Sequence, residues 1–152
     1  MNDQSNALVT LQKEEEVSLI SLNDEGSFNS LSENLLKELF DVLRESDQDD
    51  TTKVLVLKGA GRGFSAGHNL KEVQENQNDD FYRDLLNSCK EVMTFLSNLS
   101  KPVIEVRIEN IFIQEGSKPL RGNESGVGFV SGLGKYGYVL AINSINKKLS
   151  NN

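Results

Sequence analysis

The sequence predicts an α/β fold. Three observations carry this: two short alternating apolar runs at residues 8–22, a continuous apolar run at Val54–Leu57, and two long stretches of helical apolar spacing at residues 31–43 and 81–99. Their order, β-β-α-β-loop-α-β, favours this class. No internal repeat of fixed period competes with this order.

Leu8, Val9 and Leu11, then Val17, Leu19, Ile20 and Leu22, alternate partially and flank the polar Gln12–Glu16, as two paired strands would. A hairpin is expected. Asn23-Asp24-Glu25-Gly26 reads as a turn. Ser30 stands three residues before Glu33, the spacing at which a hydroxyl and a carboxylate satisfy open amides at a helix start, so the first helix is expected to be capped there. Leu31, Leu35, Leu39 and Leu43, with Leu36 and Phe40, form its core face until Asp47–Asp50 end the pattern. Val54–Leu57 lack alternation, the signature of a strand covered on both sides, and all four are expected to be buried. Beyond a glycine loop, Phe81, Leu85, Cys89, Val92, Leu96 and Leu99, with Leu86 and Met93 alongside, mark a second helix of about five turns. Its Cys89, Met93 and Phe95 read as packed side chains. Lys101-Pro102 ends it, and Val103, Ile104, Val106 and Ile108 resume a strand pattern.

The 152 residues suit a single domain. With 16 basic and 23 acidic residues the net charge is −7, so no basic surface offers itself to nucleic acid or anionic lipid. No apolar run approaches the roughly 18 residues of a membrane span, and the N-terminal residues lead into Lys13-Glu14-Glu15-Glu16, unlike a signal or transit peptide. A soluble chain of the cytoplasm or mitochondrial matrix is expected. The single Cys89 excludes an internal disulfide and the single His68 a histidine-rich metal site, so no metal is expected. Asp47, Asp49 and Asp50 lack the spacing of a calcium loop and read as an acidic turn.

Composition changes near residue 105. Residues 1–105 carry 20 acidic and 10 basic side chains, residues 106–152 carry 3 and 6, and seven of the twelve glycines fall between Gly116 and Gly137. The organisation read from this is an extension at 1–7, a patterned part at 8–105, and a divergent, Gly-rich, poorly patterned tail at 106–152, loop-like or disordered. Gly132, Gly134 and Gly137 spell G-x-G-x-x-G, but no strand and helix are expected around them and 15 residues remain after Gly137, so dinucleotide and kinase readings are set aside.

Between the Val54 strand and the second long helix, Gly59, Gly61, Gly63 and Gly67 let the backbone turn sharply and expose amides able to hold an anion or a developing oxyanion. A helix starting near His68 would add its dipole. A plain connecting loop is the alternative. The stretch Val54–Val73, VLVLKGAGRGFSAGHNLKEV, resembles the hallmark of the enoyl-CoA hydratase/isomerase (crotonase) superfamily, a strand followed by G-x-G-x-x-F-x-A/S-G-x-D-L-K-E. Ile20–Leu36 is similar to the family's I-x-L-N-x-P-x-x-x-N-A-L-S, and Leu96–Ile104 to its L-x-x-x-x-K-P-V-I. These motifs cover residues 8–105, the family's N-terminal half, and the Gly-His-Asn-Leu-Lys-Glu variant looks most like the enoyl-CoA hydratase domain-containing branch, some of whose members are mitochondrial.

The resemblance implies a partial crotonase-like ββα spiral and an acyl-CoA thioester site that stabilises an enolate in an oxyanion hole. It places one oxyanion donor on the backbone N–H of His68, with the ring incidental. Coenzyme A, part of the substrate rather than a separate cofactor, would lie on Ser27, Phe28, Ala66, Gly67, Asn69 and Leu70, with Arg62 and Lys71 near its phosphates. Asn69 stands where the family has Asp, and Asp24-Glu25 where it has Arg-Pro. After Ile104 the resemblance stops, and with it the second oxyanion amide, the catalytic carboxylates and the helices of the family's trimer or hexamer contacts. Glu105, Glu109 and Glu115 match no motif position and read as solvated charges. The expectation is a truncated chain, from a retained intron or a frameshift, weak or inactive alone. A non-catalytic CoA-binding or protein-interaction fragment is the alternative, and an unrelated α/β interaction module a third reading.

Overall fold

In the computed structural model the chain is described at residues 7–101, 104–107 and 128–150, and it divides into two compact units, one ending at Leu96 and one beginning at Ser97. Most of the expected N-terminal extension, the strand positions Val103 and Ile108, and the tail positions Glu109, Glu115, Gly116, Gly122 and Gly126 lie outside the described residues.

In the first unit, β1 (Val9–Glu14) and β2 (Val17–Leu22) form the expected hairpin, with Leu11 opposite Ile20 and Glu14 opposite Val17. β1 runs on through the polar residues assigned to the connection, and the turn is only Glu15-Glu16, with Glu15 at φ 52°. Those polar residues lie on the exposed end of a strand, where the ladder needs no apolar side chain. β3 (Val54–Gly59) adds parallel to β2, with Leu57 beside Ile20, giving the order β1-β2-β3.

The parallel crossover is α1 (Glu33–Gln48). Its Leu35, Leu36, Leu39 and Leu43 are buried in one cluster with Val9, Ile20 and Leu22, and Leu11, Leu55 and Leu57 pack against it. Alternation along each strand puts those sheet residues on one face, opposite the helix. Glu38 fixes the helix to the hairpin by accepting from Leu8 N at 2.8 Å and Val9 N at 3.0 Å. Phe40 meets Phe95 of α3 (Asp79–Ser97) edge-on at 5.4 Å, and Leu85 and Val92 of α3 are buried as expected.

Three expectations are corrected in this unit. Val56 is 39% exposed and its strand neighbours only half-buried, because α1 covers the face that carries Leu55 and Leu57 while Val56 points to the other. Leu86 and Met93 are exposed, each lying one residue, about 100°, off the Leu85–Val92 stripe that faces the core. The cap of α1 is Ser32, whose hydroxyl accepts from Leu35 N at 3.2 Å, not Ser30. The carboxylate that meets the open Glu33 N–H is Glu72, at 3.2 Å from a distant part of the chain, a partner that local spacing does not reveal.

The second unit pairs β4 (Ile104–Arg107) parallel to β5 (Gly128–Ser131), with α4 (Tyr136–Leu149) against both strands. The expectation of a loop-like tail is therefore corrected for residues 128–149. A Cβ at Gly137 would lie 3.3 Å from Val130 Cγ1 and 3.4 Å from Val106 Cγ1, so glycine there lets the helix approach the strands. Gly132 (φ 77°) and Gly134 (φ 53°) make the turn between them, so the G-x-G-x-x-G does sit between a strand and a helix. Only Gly137 and Ala141 of α4 are buried among its described side chains, which explains why no apolar period announced it. Among the described residues no helix is long and apolar enough to cross a membrane, and no cluster of metal-ligating side chains occurs.

Candidate functional site

The site forms where β3 runs out at Gly59. A Cβ at this position would lie 2.4 Å from the carbonyl oxygens of both Gly63 and Phe64, so the loop folds back over a residue that has room for hydrogen alone. Gly61 (φ 76°) and Gly67 (φ 87°) supply the left-handed turns.

Opposite this loop stands the turn after β2. Asp24 N donates to Asn29 Oδ1 at 2.9 Å, and Asn29 Nδ2 donates to Ala60 O at 2.9 Å and Gly63 O at 3.2 Å. Ala66 N donates to Phe28 O at 3.0 Å, and the Ser65 hydroxyl donates to Asn29 O at 2.7 Å while accepting from Gly67 N at 3.2 Å. The two segments enclose a small cleft of about 180 Å³ lined by Glu25, Phe28, Asn29, Ala60, Gly61, Arg62 and Gly63.

His68 follows directly. Leu31 N donates to Gly67 O at 2.7 Å and Asn69 N donates to Leu31 O at 3.1 Å, a one-residue parallel bridge between Leu31 and His68. In such a bridge the residue between the two bonded amides turns its own N–H and C=O away from the partner strand. The His68 N–H thus faces away from Leu31 and has no acceptor among the described residues. Its ring Nδ1 is buried, also without a partner among the described residues.

The remaining sequence-predicted positions divide. Phe28 and Arg62 share the cleft, and Ala66, Gly67 and His68 form the segment that leaves the loop. The Ser27 hydroxyl is engaged within its own turn, donating to the Asp24 carboxylate and accepting from Ser30 N at 3.2 Å. Asn69 caps α2 (Leu70–Glu75), its Oδ1 accepting from Glu72 N at 3.1 Å, so the helix starts two residues later than His68. Leu70 is exposed, and Lys71 stands on the surface with its Nζ 4.0 Å from Glu75, a pair that constrains it little. Asn29 was missed as a functional candidate. The available signals were the Asn that the motif I-x-L-N-x-P-x-x-x-N-A-L-S sets at this position and a residue type tolerant of left-handed backbone in a turn after a strand.

Residues 12–106, well over half of the chain, match the family model described as enoyl-CoA hydratase/isomerase. The mitochondrial enoyl-CoA hydratase domain-containing protein 3 of Xenopus laevis is 35% identical over 102 residues, covering 66% of this chain and 34% of that protein. Its Homo sapiens counterpart is 37% identical over 86 residues, 56% of this chain and 28% of the relative. The chain thus spans about a third of the length of these relatives. Among solved structures, the enoyl-CoA hydratase of Bacillus anthracis superposes with a TM-score of 0.60 at 34% identity, over 64% of this chain and 38% of that one. The human domain-containing protein 3 gives 0.60 at 26%, over 66% and 42%. The matched span, the shared strand-helix order and the glycine loop make the chain a member of the enoyl-CoA hydratase/isomerase family.

Proposed function

We propose that this chain carries an acyl-CoA thioester site in which the His68 N–H donates to the thioester carbonyl oxygen. The observation that supports it most is the bridge geometry, which turns that amide away from Leu31 and leaves it without an acceptor among the described residues. A fixed amide aimed at a carbonyl oxygen becomes more valuable as enolate charge develops there, and removing one comparable donor costs about 3 to 4 kcal/mol of barrier. Coenzyme A enters as part of the substrate, with Phe28 and Arg62 at the cleft and no separate cofactor. The relatives' mitochondrial names favour a mitochondrial location.

The chain alone is proposed to bind without appreciable turnover. The His68 N–H is the donor this reading assigns and Glu25 the carboxylate that lines the cleft, with no motif position assigning Glu25 to proton transfer, whereas hydration of an enoyl thioester needs a proton moved and a water activated. A missing second donor removes about two to three decades of rate and missing acid-base catalysis about two to four more. The purified chain is expected to bind a short saturated acyl-CoA in calorimetry, and Gly67→Pro, which cannot adopt φ 87°, to bind at least about tenfold more weakly. Enoyl-CoA absorbance should stay at its uncatalysed rate. Absent binding by the unsubstituted chain would refute the thioester site, and hydration abolished by Gly67→Pro would refute the inactivity.

A further inference from the structure

We infer that Asn29 is a positioning residue of this site: its side-chain amide locks the 24–29 turn to the 60–67 loop and thereby sets the direction of the His68 N–H. The inference rests on the thioester reading of His68 for its functional meaning. Asn29 is 1% exposed, and both of its amide protons and its oxygen are engaged, on Ala60 O, Gly63 O and Asp24 N. Asp24 lies in the turn that carries Asn29 and Ala60 and Gly63 in the facing loop, so one buried amide joins the turn after β2 to the start of the glycine loop and its midpoint.

The backbone of the same residue continues the connection. Phe28 and Asn29 are both left-handed, each at φ 54°, a conformation that non-glycine residues seldom adopt in succession. It brings Phe28 O to Ala66 N and Asn29 O to the Ser65 hydroxyl, which in turn holds Gly67 N. From Asn29 to Ser65 to Gly67 the bonds run to the residue directly before His68. Loss of the side-chain clamp would leave the loop held by Ala60 N on Leu22 O, Ala66 N on Phe28 O, the Ser65 hydroxyl on Asn29 O and the Leu31 bridge, with Gly63 O released and the bearing of the His68 N–H loosened.

Asn29 could instead serve only as a side chain that tolerates the left-handed turn, and substitution separates the two roles. Asn29→Gly keeps the backbone freedom and removes the clamp. In the ligand-free chain, amide exchange at Ala66 and Gly67 should quicken by about ten- to a hundredfold in this variant, while Leu36 and Leu39 in the core keep their protection. Unchanged exchange at Ala66 and Gly67 would overturn the inference. Should Asn29→Gly lose protection at Leu39 as well, Ser65→Ala decides, since it cuts only the last link: faster exchange at Gly67 with Leu39 unchanged supports the inference, and wild-type exchange at Gly67 overturns it. A second readout is the thioester C=O stretch of a bound saturated acyl-CoA, which a hydrogen bond lowers. The unsubstituted chain should lower it, and Asn29→Gly and Ser65→Ala should return it toward its solution value even where Leu39 protection is intact. If the unsubstituted chain leaves the stretch at its solution value, the thioester reading fails, while the exchange pattern still decides the clamp.

Discussion

Gly59→Ala should be the most damaging single change in the glycine loop. A Cβ there would stand 2.4 Å from two carbonyl oxygens and 2.8 Å from Phe64 Cα, more than an ångström inside the first of these at ordinary separations of about 3.5 Å. All three atoms are backbone, so no side chain can swing aside and the loop itself must move. Overpacking of this kind costs typically about 1 to 3 kcal/mol, and Gly59→Ala belongs at the upper end. The loop contains its own controls. Gly63 has nothing within 4 Å of its Cβ position, so Gly63→Ala should stay within about 0.5 kcal/mol of the parent. Gly61 lies at φ 76° with the flexible Glu25 side chain nearest its Cβ position, at 3.0 Å, so Gly61→Ala should cost about 1 to 2 kcal/mol from backbone strain. Urea unfolding followed by far-ultraviolet circular dichroism would rank the three. A Gly59→Ala cost below about 1 kcal/mol, or one equalled by Gly63→Ala, would refute the close-approach reasoning.

Three further outcomes follow from the packing and the charges. Leu36, fully buried under the sheet, should cost about 2 to 5 kcal/mol on truncation to Ala in the same urea assay. Ser32→Ala should cost about 1 kcal/mol, because its hydroxyl is the α1 cap, and Ser30→Ala measurably less. The Lys13 ammonium, followed by the Thr51 and Thr52 hydroxyls, holds the Asp49 carboxyl well below the usual carboxylate range. Because its folded value is depressed, the stabilisation is present above the ordinary value of about 3.9 and is lost as pH falls below it, so the parent chain should lose stability more steeply than Asp49→Asn on acidification from pH 5 to pH 2. Parallel pH curves for the two would contradict this.

Local periodicity made the hairpin, α1 and α3 legible, since each rests on neighbours two, three or four residues apart. Leu35, Leu39 and Leu43 face the core for the reason their spacing states. Tertiary partners were not legible in that way. The apolar run Val54–Leu57 says that a strand is present but not how many layers cover it, and Val56 proves exposed. Ser30 and Ser32 are both plausible caps by type, and only the bridge from Leu31 to His68 keeps Leu31 extended and moves the helix start to Glu33. β5 and α4 escaped notice because, among the described side chains of α4, only Gly137 and Ala141 are buried, neither of which gives an apolar rhythm. At the candidate site, the glycine loop and the family motif drew attention to His68, Phe28 and Arg62, and the structure puts Phe28 and Arg62 on one cleft and His68 in the bridge to Leu31. The motif carries an Asn at position 29, but its contacts are not legible there because they are backbone oxygens more than thirty residues away.

The His68 amide resonance tests the central claim most directly. In a ¹⁵N-labelled chain titrated with a short saturated acyl-CoA, the His68 N–H signal should move downfield as it gains a carbonyl acceptor, with the same midpoint as the signals of Phe28, Arg62 and Gly67, and free coenzyme A should move the cleft signals without that shift. Saturating acyl-CoA that leaves His68 unmoved, or that moves it no further than coenzyme A alone, would contradict the assignment of the His68 N–H as the thioester donor.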